Sequence, residues 1–301
     1  MTLPVTLGVH LPETPPRWDA LDQFEALIGS PIPLVSFYWA WGNGPSEVPF
    51  QWMRSALERG KRPLVTWEPW RLPEDFTNPR RSVEDSSFSL KTLTSGVFDD
   101  YVADWASKIK TLPGRVVVRL MHEMNGNWYP WCGHANGNSP EDYVKAWRYI
   151  HDLFGSAGVT NVEWVWCPYV ISVPRLTTFP DYFPGDDYID WLGLDGYNWG
   201  TSQPWATWQE FPELFGEAYR TVTALSGKPV MIAEVGCTDC GGSKADWIMN
   251  AYHHASAGFP RLRAVVWFNM DKECDWRVQS SAESLTAFQR TWGHHEQDTP
   301  S

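Results

Sequence analysis

Five acidic residues close short apolar runs in this chain: Glu68, Glu123, Asp195, Glu234 and Asp271. Two carboxyl groups held about 5 to 5.5 Å apart, one protonated and one ionised, can cleave a glycosidic bond with retention of configuration. The settings of the five differ. Glu123 follows Val116-Val117-Val118-Arg119-Leu120-Met121 and His122, and opens a segment carrying Asn125, Trp128, Tyr129 and Trp131. Glu234 ends Val230-Met231-Ile232-Ala233 and is followed by Val235-Gly236. Both emerge singly from apolar runs, where burial beside each other would raise the pKa of one of them. For any one of the five, the ordinary alternative is a rim carboxylate paired with an arginine or a backbone amide. Asp271 lies in Asp271-Lys272-Glu273, which reads as a solvated loop, and Asp195 reads as structural beneath Tyr197. Glu68 reads as binding a sugar hydroxyl or holding Arg119 rather than reacting.

The elements that must position these groups follow from hydrophobic period. Short β-rich apolar runs are expected as strands at Val5 to His10, Leu34 to Trp39, Leu64 to Trp67, Val116 to Met121, Val162 to Cys167, Trp191 to Asp195, Val230 to Glu234 and Ala264 to Phe268. Helical stretches lie near Trp18 to Ile28, Pro49 to Arg59, Phe98 to Thr111, Pro140 to Ala157, Thr207 to Leu225, Lys244 to Ser256 and Ser281 to Thr291. The stretch Ser172 to Asp187 is irregular and rich in proline, so the fifth helix is the weak one. Strands alternating with helices, with no linker between them, predict α/β architecture: a single (β/α)8 TIM barrel over residues 1–301. Active sites of this fold sit at the C-terminal ends of the strands. Those ends run here into Trp39-Ala40-Trp41, Trp67-Glu68-Pro69-Trp70, His122-Glu123, Pro168-Tyr169, Asp195-Gly196-Tyr197, Glu234 and Asn269-Met270-Asp271.

Composition narrows the partner. Hydrophobic residues make up 43% and charged residues 20% of 301, which is ordinary for a globular chain. No apolar window of about twenty residues is present, so no membrane span is expected. A formal net charge of -12 disfavours nucleic acid and anionic lipid, which are bound through clustered lysine and arginine, and favours a neutral substrate. With 20 Trp, 11 Tyr and 14 Phe, the chain has more large rings than a core alone readily uses. Flat rings stack on the C–H faces of sugars, and Trp128, Trp131, Trp199, Trp205 and Trp208 lie in loop-like stretches. The five cysteines leave the compartment open, and Cys237 and Cys240 form a CxxC with no second ligand pair, which points to free thiols or a local disulfide rather than zinc. No signal peptide is visible, because Leu3 to Val9 reads as a strand. No metal or cofactor is expected, and a metal-dependent barrel hydrolase is disfavoured because no HxH or comparable cluster follows a strand.

The run His122-Glu123-Met124-Asn125-Gly126-Asn127-Trp128-Tyr129-Pro130-Trp131 resembles the acid/base motif of glycoside hydrolase family 26, and Pro229-Val230-Met231-Ile232-Ala233-Glu234 resembles its nucleophile strand. Supporting matches are Thr66 to Trp70, Tyr182 to Asp186, Leu194 to Gly200 and Asp275-Trp276-Arg277. The resemblance implies a retaining β-glycanase on a (β/α)8 barrel, with the acid/base after the fourth strand and the nucleophile after the seventh; the strand count above puts Glu123 and Glu234 there. It further implies that Arg119 and His122 position substrate and carboxylates, that Tyr197 hydrogen-bonds the nucleophile, that Trp128 stacks near the leaving-group sugar, and that Trp267 forms the floor under the attacked sugar. Glu68, Trp70, Trp131 and Trp199 complete the expected substrate-binding set. The family includes β-1,4-mannanases, mixed-linkage β-1,3-1,4-glucanases and β-1,3-xylanases, and its members are usually secreted. Trp128-Tyr129-Pro130-Trp131 stands where many mannanases carry Trp-Phe-Trp-Trp, and the Thr66 to Trp70 and Gly196 to Gly200 runs are more similar to the glucanase branch. The expectation is therefore a monomeric enzyme acting on a β-glycan polysaccharide or oligosaccharide, mixed-linkage glucan slightly ahead of mannan. The alternatives are a β-1,3-xylanase and a non-catalytic polysaccharide-binding barrel.

Overall fold

The computed structural model describes residues 5–72 and 83–293. Eight parallel strands close into a barrel in sequence order: β1 (Thr6–His10), β2 (Leu34–Ala40), β3 (Arg62–Glu68), β4 (Val116–Leu120), β5 (Val162–Trp166), β6 (Trp191–Asn198), β7 (Val230–Cys237) and β8 (Leu262–Phe268), with β1 pairing both β2 and β8. The crossovers carry α1 (Trp18–Ile28), α2 (Val48–Glu58), α3 (Asp99–Lys110), α4 (Pro140–Ser156), α5 (Phe211–Leu225), α6 (Lys244–Ala257) and α7 (Ala282–Thr291). The expected elements are present, with ends shifted by a few residues. Between β5 and β6, as the prolines there imply, the described chain forms two 3-10 turns, Phe179–Tyr182 and Asp186–Tyr188, and no α-helix.

Helix α4 illustrates why the helices form and dock where they do. Ser139 Oγ accepts from the Asp142 amide at 3.2 Å and Asp142 Oδ2 accepts from the Ser139 amide at 3.1 Å, which closes a capping box with Pro140 at the first helical position. Its buried residues Tyr143, Ala146, Trp147, Ile150 and Phe154 recur at helical spacing and form the face laid on the barrel.

Alternation along each strand sorts side chains into two layers. Leu34, Leu64, Val117, Val165, Met231, Ala264 and Val266 fill the barrel interior. Their neighbours, such as Val35, Val65, Val116 and Val265, face the helices. Two residues further along, the inward positions become polar: Ser36 then Tyr38, Thr66 then Glu68, and Arg119. The site is therefore the top layer of the barrel filling.

Strand β7 departs from strict alternation. Leu194 pairs with Ile232 and Asp195 with Glu234, so β7 holds one residue more than β6 at this point, and the register with β8 also shifts between Ile232 and Val235. Such a bulge lets consecutive residues share one face. Ala233 lines the interior, and Glu234 beside it reaches inward as well.

Candidate active site

Glu234 is built by three donors from three other strands. Its Oε1 accepts from the Tyr38 hydroxyl of β2 and from Arg119 Nη2 of β4, and its Oε2 accepts from the Tyr197 hydroxyl of β6. The Arg119 guanidinium is fully buried, donates to Thr66 Oγ1 at 2.7 and 3.0 Å, and donates to Asp195 Oδ2 at 2.5 Å through Nη1. The second oxygen of Asp195 accepts from the Cys167 thiol at 3.1 Å. A buried cation with every face of its fork engaged is fixed in orientation as well as charge. Burial pushes the Glu234 carboxyl up, but Arg119 and the Tyr197 and Tyr38 hydroxyls outweigh it and hold the group down at about 2.

Glu123 arrives by another route. It lies just past β4 in a turn where Met121 and Glu123 adopt φ of 45° and 53°, left-handed values that cost residues with a β-carbon about 1 kcal/mol or more each. The turn is pinned through its carbonyls: Tyr143 donates to Met121 O at 3.1 Å, Trp131 Nε1 to His122 O at 2.7 Å and the Gly126 amide to Glu123 O at 2.9 Å. The Glu123 amide in turn donates to Cys167 O at 2.7 Å. One side-chain donor meets the carboxyl, Trp128 Nε1 at 2.6 Å from Oε2. A β-carbon at Gly126 would come within 2.5 Å of that indole, so glycine is required there. Burial pushes the Glu123 carboxyl well above the carboxylate range, and the charges of Asp195 and Glu234 push the same way. The Trp128 N–H and Arg119 offset part of this.

Around the pair, His122 is buried and its Nδ1 has no partner; burial and then Arg119 push its pKa well below the usual value, so the ring is neutral. Glu68, at the end of β3, accepts from Trp70 Nε1 at 3.2 Å, and burial raises it to about 8. It does not hold Arg119, whose carboxylate partners are Glu234 and Asp195. Trp199 is half-buried and packs on Tyr197 and Trp276 at 6.2 and 4.8 Å between ring centroids. Glu123, Glu234, Arg119, His122, Trp128, Tyr197, Glu68 and Trp70 thus gather at one end of the barrel.

Two expected sugar-binding rings lie elsewhere. Trp267 is 1% exposed, donates its indole N–H to Trp276 O at 2.8 Å and packs on Trp247 of α6 and Phe288 of α7. Alternation explains the correction: Val266 and Phe268 take the inward positions of β8, so Trp267 faces the helices. Trp131 is wholly buried, its ring covered by Tyr129 at 4.4 Å in a near-parallel stack. It braces the Glu123 turn and is not a sugar platform.

Sequence reasoning passed over Tyr38 and His10. His10 is stacked on Phe268 at 4.9 Å, its Nδ1 lies 3.2 Å from Ser36 O, and burial lowers it to about 4, so the ring is neutral with its proton on Nδ1. The signal for both was available: Tyr38 lies four residues past inward Leu34, and His10 two past Gly8, which pairs with inward Leu34 and Val266. The cysteines are all unpaired.

Among the described residues, His122, Glu123 and Asp195 offer ligand atoms within 4.8 Å of one another. Both Asp195 oxygens are already committed, and the Arg119 charge beside them opposes a cation. Among these residues, too, no helix is long and apolar enough to cross a membrane.

The chain matches the family model described as Glycosyl hydrolase family 26 over residues 18–282. Endoglucanase H of Acetivibrio thermocellus is 33% identical over 287 residues, 93% of this chain and 29% of the relative. Mannan endo-1,4-beta-mannosidase A and B of Caldalkalibacillus mannanilyticus is 27% identical over 200 residues, 64% of this chain and 34% of the relative. The chain therefore spans about a third of the length of these two curated relatives. The same fold is found in GH26A from a Muricauda species, with a TM-score of 0.67 at 19% identity, covering 97% of this chain and 90% of that one. It recurs in the catalytic domain of the Bacillus sp. JAMB-750 GH26 endo-beta-1,4-mannanase, with a TM-score of 0.69 at 18% identity, covering 96% and 86%. The family-model match spans most of the barrel and both glutamate motifs, and the chain belongs to glycosyl hydrolase family 26.

Proposed function

We propose that this chain is a single catalytic barrel acting as a retaining endo-β-glycanase, with Glu234 as nucleophile and Glu123 as general acid/base. The observation that carries the reading is the opposite tuning of two buried glutamates at one barrel mouth, one held ionised by Arg119 and two tyrosines, the other kept protonated. Ionised Glu234 attacks C1 while Glu123 gives its proton to the departing glycosidic oxygen, leaving a glycosyl ester on Glu234. The ester removes the charge that helped keep Glu123 protonated. The Glu123 carboxylate then takes a proton from the water that attacks C1, and Glu234 leaves as carboxylate.

Tyr38, Tyr197 and Arg119 orient the nucleophile, and neutral, buried His122 packs on Tyr38 and Tyr129 at 5.9 and 4.8 Å between ring centroids, bracing the wall beside it. Trp128 flanks the leaving group, while Glu68, Trp70 and Trp199 line the approaches.

Mixed-linkage β-1,3-1,4-glucan is the preferred substrate. The relative named Endoglucanase H aligns with 93% of the chain and supports a glucan. β-1,4-Mannan is the second reading, favoured by the names of several shorter matches. Incubation with barley β-glucan, glucomannan, galactomannan and β-1,3-xylan, followed by product analysis, tests both. Reducing ends released fastest from β-glucan, with the β-anomer appearing first by proton NMR, are expected. Faster release from galactomannan would move the assignment to mannan, and binding without release would leave a non-catalytic barrel.

A further inference from the structure

Of the chain's 20 tryptophans, Trp205 alone is exposed, at 69%. It lies in the loop between β6 and α5, and contacts through the ends of β5 and β6 join it to the acid/base. Trp128, whose indole holds Glu123, meets Tyr169 edge-on at 5.4 Å between centroids. Tyr169 in turn bridges to Asp195 of β6, the strand that leads into Trp199. Trp205 stands 5.3 Å from Trp199. Trp128 stands beside the proposed acid/base, so these contacts run outward from the leaving oxygen along the β4 to β6 side of the cleft, where Trp199 also packs on Tyr197 at 6.2 Å.

The loop is braced rather than loose. Asn198 Oδ1 accepts from the Gly200 amide at 3.2 Å and the Gln209 amide at 3.1 Å, which closes the loop at its base. The Thr201 amide donates to Cys240 O at 3.0 Å, and the Cys274 thiol to Ser202 Oγ at 3.1 Å. Gly200 takes φ 52°, and a β-carbon there would lie 1.7 Å from Cys240 O, so this close approach needs glycine. A flat ring presented on a pre-ordered loop binds without a large ordering cost. Residues 199 to 209 carry no charge and are rich in hydroxyl and amide groups, which suits a neutral polyol rather than an ion or a charged protein surface.

We propose that Trp205, with Trp199, is a sugar-stacking platform on the leaving-group side, two or more units beyond the scissile bond, which grips the departing end of a β-glycan chain. This rests on the functional reading above. It makes turnover depend on how many sugars extend past the cleaved bond.

The test uses reducing-end-labelled β-glucan oligosaccharides of increasing length with the native protein, Trp205→Ala and Trp205→Phe. In the native protein kcat/KM is expected to climb as units are added on the leaving-group side. Trp205→Ala is expected to lose about tenfold on the longest substrate, flattening the climb, and Trp205→Phe, which keeps a flat ring, to recover most of it. The same oligosaccharides are titrated calorimetrically against native and Trp205→Ala protein in the Glu234→Ala background, where nothing is turned over. Weaker binding of long chains alone by Trp205→Ala supports the platform; equal binding, or an unaltered length dependence, overturns it. Absence of hydrolysis by the native protein would sink the functional reading separately, with the titration still deciding the platform.

Discussion

The two glutamates meet in one cleft but are held by different parts of the molecule. Glu234 stands on a strand, and its donors Tyr38, Arg119 and Tyr197 stand on β2, β4 and β6. Glu123 stands on a turn, and its one side-chain donor, Trp128, comes from the same loop. Both carboxyls pay for burial, and only the first is repaid with a cation and two hydroxyls. The contrast teaches that the number and charge of donors, rather than depth, decides which of two buried carboxyls is ionised.

The largest expected break in the comparison is Glu234→Ala, which should cost about a millionfold in kcat on every substrate, as loss of a nucleophile does. Glu123→Ala should cost about a hundred- to ten-thousandfold on polysaccharide yet keep glycosylation of aryl glycosides with good leaving groups. Equal loss on both substrate types would remove the assigned roles. Next comes Tyr38→Phe, which strips one donor from the charged Glu234. Its carboxyl should rise from about 2, the acid limb of the pH–rate profile should move up, and kcat should fall about tenfold. Trp128→Phe acts on the other side: loss of the N–H that stabilises the Glu123 carboxylate should raise that group further and move the alkaline limb up. A downward move would show that the indole is not its donor.

The smallest effect concerns stability. Glu68 is raised by burial from 4.5 to about 8, so the folded chain keeps a proton there that the unfolded chain loses. Stability is unaffected by this group at low pH and falls as pH climbs from 4.5 towards 8. Glu68→Gln should therefore raise Tm more at pH 8 than at pH 4, by a few degrees. An equal change at both values would mean that Glu68 ionises freely in the fold.

Much of this arrangement was legible in the chain. The strand runs placed Glu123 and Glu234 after the fourth and in the seventh strand, and the prolines from 174 to 184 announced the missing fifth helix. Tyr38 was passed over because Leu34 to Ala40 is apolar but for Ser36 and the Tyr38 hydroxyl, and a strand buried on both faces alternates only weakly in its residue types. Register with Leu34 and Ser36 would have exposed it. Trp267 was carried over from the family resemblance without a count of strand positions; counting from Val266 sends it outward. Its replacement by alanine is expected to cost about 3 to 5 kcal/mol of stability as a core deletion, read by denaturant unfolding. The bulge that turns Glu234 inward has no local mark in the sequence, since it arises from pairing with β6 and β8.

The buried guanidinium of Arg119 bridges a threonine on β3 to acids on β6 and β7. It acts as a rivet through the wall, and a lysine ammonium, with one point of charge, could not span those three strands at once. On the roles proposed for the two glutamates, the half that attacks carbon is thereby independent of the rim, whereas the half that handles the proton travels with the loop after β4. On the proposed roles, loops of the other strands can be exchanged to retune which polymer is gripped, provided that the loop bearing Glu123 and Trp128 is kept whole together with the one after β5, whose Tyr169 and Val173 hydrogen-bond Asn125.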